Sequence, residues 1–273
     1  MRWFALGLLA GFAGCGAPEE KAPEGEKTQE HAPEKKHEKH ESGHWAYDGA
    51  TGPQFWGELD KKFETCGTGT HQTPIDLPEK VAPTGATPGT LAFDYQPIPV
   101  AILNNGHTVQ VENTVPGGVV IEGARYYLVQ MHMHSPSEHT IGGKNSAMEL
   151  HLVHRNAAGE LAVVGVMLNE GKENVPLKPI WDYLPLDVSD KSEVVPEGAV
   201  DIRALIPDNP SYYHYVGSLT TPPCSEGVRW FVLTQPSTVS KVQVERYQSL
   251  LGDHTNRPIQ PLNDRKVSIF APK

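Results

Sequence analysis

The chain has 273 residues, 38% of them hydrophobic, and a formal net charge of −10. That length fits one large domain or two ordinary ones, with ample apolar material for a buried core. The acidic balance excludes non-specific nucleic-acid binding, which needs a basic footprint to displace counterions, and argues against a polyanionic substrate.

Arg2 precedes a short apolar run, Trp3 to Phe12, which lacks the roughly 20 residues a membrane-spanning helix needs. Phe12-Ala13-Gly14-Cys15 then resembles the processing signal of bacterial lipoproteins, whose cysteine becomes the lipidated N-terminus. On this reading residues 1–15 are a lipoprotein-type signal peptide. Cys15 carries lipid, and the protein is exported, facing the periplasm or cell exterior, and is held at a membrane by that anchor alone. An ordinary secretory signal cleaved nearby is the alternative. Residues 16–43 are Glu, Lys, Pro, Ala and His with almost no large apolar side chain, too little burial to offset ordering entropy, so they read as a disordered charged tether. His31, His37, His40 and His44 leave a metal-scavenging reading open beside the bland one.

From His44 to Lys273 the composition is that of one globular domain. Strand-like runs separated by Gly, Pro and Asn fall at Pro99–Leu103, Val109–Asn113, Val119–Glu122, Tyr126–His134, Ala147–His154, Leu161–Leu168 and Val228–Thr234. The best helical pattern is Val239–Leu250. A mainly β domain with short peripheral helices is expected.

Alternate residues of a strand share a face. In Gln130-Met-His132-Met-His134 this sets Gln130, His132 and His134 against Met131 and Met133. In Glu149-Leu-His151-Leu-Val153-His154 it sets Glu149, His151 and Val153 against His154. If the two strands are neighbours, His132, His134 and His151 meet around one ion with a fourth position open, the pattern of a catalytic zinc site. Gln130 and Glu149 are placed to hold the far nitrogens of His132 and His151. A cupin would need flanking glycines and a later Pro-x-Gly-x₂-His. A metallo-β-lactamase-like hydrolase would need an Asp where Pro136 stands. The three cysteines fit export: with Cys15 lipidated, Cys66 and Cys224 remain for one disulfide, two separate buried thiols being the alternative.

Leu103-Asn-Asn-Gly-His107, Gln130–His134, Ser135–Thr140, Glu149–His154 and Gly217–Pro223 occur in one order, with His44-Trp45-x-Tyr47, Gln72–Asp76 and Arg257–Pro261 around them. Together they closely resemble the α-class carbonic anhydrases, especially exported bacterial ones, over about His44 to Phe270. The resemblance implies a large, mostly antiparallel twisted central sheet (an α+β fold). It implies one zinc on His132, His134 and His151, and reversible hydration of carbon dioxide to bicarbonate. Thr220 matches the residue that accepts a hydrogen bond from the attacking hydroxide while giving its own proton to Glu138. Thr221 matches the residue that positions bicarbonate, and His107 the proton-shuttle histidine, an imidazole titrating near neutral pH. Val153, Val163, Leu219, Val228 and Trp230 match the apolar wall for carbon dioxide. Cys66 and Cys224 match a paired bridge, and Pro222-Pro223 a cis bond. A homodimer is allowed by the sequence. A non-catalytic module on the same fold is the alternative function; such modules usually lack a zinc ligand, and all three are present here.

Overall fold

The computed structural model describes residues 43–80, 91–208 and 210–270. The chain divides at Lys39/His40, and everything described belongs to the second unit. The segment expected to be a signal peptide, the Cys15 expected to carry lipid, and His31, His37 and His40 of the expected tether lie outside the described residues. No helix among the described residues is long and apolar enough to cross a membrane.

Fifteen strands are described: β1 (Asp76–Leu77), β2 (Leu91–Asp94), β3 (Ile98–Asn104), β4 (Val109–Glu112), β5 (Gly118–Ile121), β6 (Ala124–His134), β7 (Thr140–Ile141), β8 (Lys144–Asn145), β9 (Met148–Asn156), β10 (Leu161–Glu170), β11 (Glu193–Val200), β12 (Tyr212–Ser218), β13 (Glu226–Leu233), β14 (Ser237–Val239) and β15 (Ser268–Phe270). Helices are short: α1 (Trp56–Leu59), α2 (Thr65–Thr68), α3 (Lys178–Asp182) and α4 (Lys241–Leu251). Each strand run read from the sequence is a strand here. The helix at 239–250 is α4, started by a reciprocal Ser240–Gln243 capping box that satisfies two orphan amides.

Twelve strands form one sheet whose main path is β11-β3-β4-β6-β9-β10-β13-β12-β15. β10 pairs in parallel with β13 and β14, and the other pairs of this sheet are antiparallel. Both faces of its centre are buried, which is why β10 reads as an almost continuous apolar run. Met131 and Met133 of β6, Leu150 and Leu152 of β9, and Val164 and Val166 of β10 join the larger core on one face. Val163, Met167, Val228, Trp230 and Val232 pack on the other. Strand alternation therefore turns His132 and His134 of β6 and His151 of β9 onto the second face, at the centre of the sheet and far from either edge.

Candidate active site

β6 and β9 pair antiparallel with His132 directly opposite His151. The register brings the third imidazole, His134, to the same spot: ring centroids lie 5.0 Å (His132–His134), 5.2 Å (His132–His151) and 4.7 Å (His134–His151) apart. Each ring offers a nitrogen within 4.8 Å of the others. Burial keeps all three neutral. It lowers His134 to about 4, pushes His132 well below the ordinary histidine range, with His134 and His151 adding to the effect, and lowers His151 despite the opposing Glu149 charge.

The far nitrogens are held. His132 Nδ1 lies 2.8 Å from Gln130 Oε1, and His134 Nδ1–H donates to Thr255 O at 2.5 Å. His151 Nε2 sits 3.0 Å from Glu149 Oε1, although the ring N–H is not squarely aimed at it. Glu149 itself is fully buried; burial opposes its charge, yet His139 and His151 hold its carboxyl well below the usual range. Its other oxygen accepts the backbone N–H groups of Glu138 and His139 at 3.0 and 2.8 Å. His139 continues the chain: Nδ1 is 2.7 Å from Glu149 Oε1, and Nε2 is 2.6 Å from the Tyr215 hydroxyl, which lies 3.3 Å from Thr73 Oγ1. Gly217 leaves room for this line, since a Cβ there would stand 2.1 Å from Thr73 Oγ1.

Three buried imidazoles with anchored far nitrogens fit zinc. His134 Nε2 makes no hydrogen bond, and leaving such an atom unsatisfied in a buried site costs about 1–3 kcal/mol unless a metal takes it. Beside it stands Glu138 Oε2 at 3.4 Å, also without a hydrogen bond. Burial raises Glu138 to about 7, while His151, the Arg257 amide and a hydrogen bond with Thr220 pull it back. A cation on the adjacent imidazoles favours its ionised form.

Thr221 lines a small hollow of about 90 Å³ together with His107, His132 and His134. A larger hollow of about 740 Å³ is also lined by Trp45 and His107; His132 and His134 line only the smaller of these two. Val163, Val228 and Trp230 form one apolar cluster, with Val153 and Leu219 packed against it. Trp230 reaches His151, ring to ring, at 4.9 Å, so this apolar cluster adjoins the histidine site. The loop after β12 carries the cis Pro222–Pro223 bond and is bridged by the Cys66–Cys224 disulfide, Cα to Cα 5.0 Å. That bond agrees with export and excludes the reading of two separate thiols.

His107 is half-buried beside the smaller hollow. Its ring stacks on Trp45 at 3.6 Å, and burial there, with His44 adding to it, lowers its pKa to about 4. Sequence reasoning passed over several residues of the site. Trp45 and Tyr47 stood in a quoted motif without a role, as did His139 and Arg257. Thr255 acts through its backbone carbonyl, which leaves no side-chain signal to find.

Residues 51–270 match the family model of eukaryotic-type carbonic anhydrases. The carbonic anhydrase of Klebsiella pneumoniae is 40% identical over 83% of this chain and 91% of its own length. That of Neisseria gonorrhoeae is 39% identical over 82% and 87%. Among solved structures, the α-carbonic anhydrase of Thermovibrio ammonificans bound to sulfanilamide is 41% identical, with a TM-score of 0.77 over 82% of this chain and 98% of that one. The chain belongs to the α-class carbonic anhydrases, and the mainly β sheet is the fold of that class. It is a zinc enzyme of carbon dioxide hydration, with His132, His134 and His151 as its metal cluster.

Proposed function

We propose that this chain is an exported, lipid-anchored carbonic anhydrase in which Thr220, Glu138 and His107 serve the hydration of carbon dioxide around a zinc held by His132, His134 and His151. The observation that carries the reading is the buried Nε2 of His134, which makes no hydrogen bond, converging with two more neutral imidazoles beside Glu138. When bound, zinc supplies a hydroxide nucleophile by lowering the pKa of water to about 7, a value for which carbonic anhydrase is itself the reference case. Thr220 has one hydroxyl proton, and committing it to Glu138 leaves its oxygen to accept from the nucleophile and aim it at carbon. Thr221 orients bicarbonate. Val153, Val163, Leu219, Val228 and Trp230 give the apolar gas a dry wall, which asks for shape more than hydrogen bonds.

His107 moves the proton out. Stacked on Trp45 it is desolvated; turned into the hollow it shares with Thr221 and His132, it would regain water and a pKa suited to relay. The Phe12–Cys15 run supports lipidation at Cys15, with residues 16–43 as the tether and a periplasmic or cell-surface location. Membrane extraction of metabolically lipid-labelled protein, compared between wild type and Cys15→Ala, tests the anchor. Stopped-flow hydration with zinc analysis tests the chemistry: one zinc per chain and activity abolished by chelation are expected. Zinc-loaded protein without activity would sink the reading and favour a binding module.

A further inference from the structure

Two sequence motifs, Gln72-Thr-Pro and Arg257-Pro, neither bind zinc nor line the carbon dioxide wall, yet the structure joins them. Arg257 is 1% exposed. Its Nη1 donates to Gln72 Oε1 and to Thr73 O, both at 2.9 Å, and Nη2 donates to Cys66 O at 3.0 Å. The guanidinium lies over the Trp56 ring at 5.6 Å. These partners of the side chain are neutral, the charge of Glu138 is the one that favours the guanidinium, and a cation buried in this way is an expensive way to fill space.

The backbone of the same residue is where the arrangement acts. Arg257 N–H donates to Glu138 Oε1 at 2.9 Å, and two residues earlier Thr255 O accepts from His134 Nδ1. The stretch 254–260 belongs to no helix or strand, so bonds to other segments must hold it. Its Thr255 end is tied to Ser135 by paired bonds at 2.9 Å. Its Arg257 end is tied by the guanidinium, to Cys66 directly and to Cys224 through Gln72, whose Nε2 donates to Cys224 O at 3.1 Å. Cys224 N in turn donates to Thr221 O at 2.9 Å, so the same line reaches the threonine loop.

We infer that Arg257 is a positioning residue: by clamping residues 255–257 to both halves of the Cys66–Cys224 bridge, it fixes the carbonyl that orients His134 and the amide that orients Glu138. This rests on the roles given to His134 and Glu138 above. The full chain is prepared as wild type, Arg257→Met, Arg257→Lys, Cys66→Ser/Cys224→Ser, and the last combined with Arg257→Met. Zinc release to excess chelator and kcat/KM for hydration at saturating zinc are measured, with far-UV circular dichroism to verify folding.

Arg257→Met is expected to release zinc roughly 10- to 100-fold faster and to lose kcat/KM by a comparable factor. Arg257→Lys should recover only part, because an ammonium cannot span three acceptors as a planar fork does. Arg257→Met and the cysteine pair should combine to less than the product of their separate effects, since both loosen one segment. Zinc release within twofold of wild type in a folded Arg257→Met or Arg257→Lys variant, or strictly multiplicative effects, would overturn the inference. If Arg257→Met does not fold, the lysine variant decides by the same criterion. A wild type that binds zinc without hydrating carbon dioxide would instead remove the functional reading, while zinc release still judges Arg257.

Discussion

Thr220 is 5% exposed and interacts with a Glu138 carboxyl that burial has raised to about 7; in the proposed mechanism its single donor serves that carboxyl and its oxygen is left to accept. Thr220→Ala removes that acceptor and keeps all three imidazoles. We expect kcat/KM to fall by roughly 100-fold with zinc content unchanged, read by stopped-flow hydration and metal analysis. The proposed role of His107 concerns a different step. Its alanine variant should lower kcat in dilute buffer by on the order of 10- to 100-fold, leave kcat/KM in place, and recover with added imidazole. An unchanged kcat in dilute buffer would take His107 out of the proton path.

At the scale of elements, β6, β9 and β10 carry the argument, because each uses one face for the core and the other for the site. The same alternation that turns His151 toward zinc turns His154 into the larger core. There it is fully buried, with Nε2 2.9 Å from the Tyr95 hydroxyl and Nδ1 3.2 Å from Ala162 O. Burial lowers its pKa to about 4, whereas an unfolded histidine titrates near 6.5. Between those values the unfolded chain binds the extra proton, so stability present above pH 6.5 is lost as pH falls toward 4, by up to about 3 kcal/mol. The double variant Tyr95→Phe/His154→Leu should show a shallower fall of the melting temperature over that window. Equal slopes in both proteins would assign the pH dependence elsewhere. The strands bearing ligands were legible because two-residue periodicity and β-branched runs coincide there. β12, β11 and the short β2, β14 and β15 were not, since their pattern is irregular: β12 opens on Tyr-Tyr-His-Tyr, and β11 is broken by Pro196 and a register shift.

For the molecule as a whole, the Cys66–Cys224 bridge closes a separation of 158 residues and ties the short-helix region at Trp56–Thr68 to the threonine loop. In the chain-entropy account such a loop is worth roughly 4–5 kcal/mol of stability. Reduction is therefore expected to lower the melting temperature and weaken hydration together, because the bridged cysteine lies three residues beyond Thr221 in a loop whose Cys224 N–H bonds back to Thr221 O. Identical melting and rates with and without reductant would contradict this.

Residue order alone placed His132 and His134 with Gln130 on one strand face, and His151 with Glu149 on another, because strand alternation is a local property of the backbone. The resemblance named them as one ligand set, and the β6–β9 pairing brings them together. Residue order also determined the mainly β class and the faces that Met131, Met133 and His154 take. What only the tertiary structure decided are contacts made across the chain by groups with no local signature. The Thr255 carbonyl on His134, the Glu149–His139–Tyr215 line, the Trp45 stack that holds His107 desolvated, and the Arg257 clamp each join segments far apart in sequence. Their chemistry depends on burial and direction, and those exist only once the sheet has closed around them.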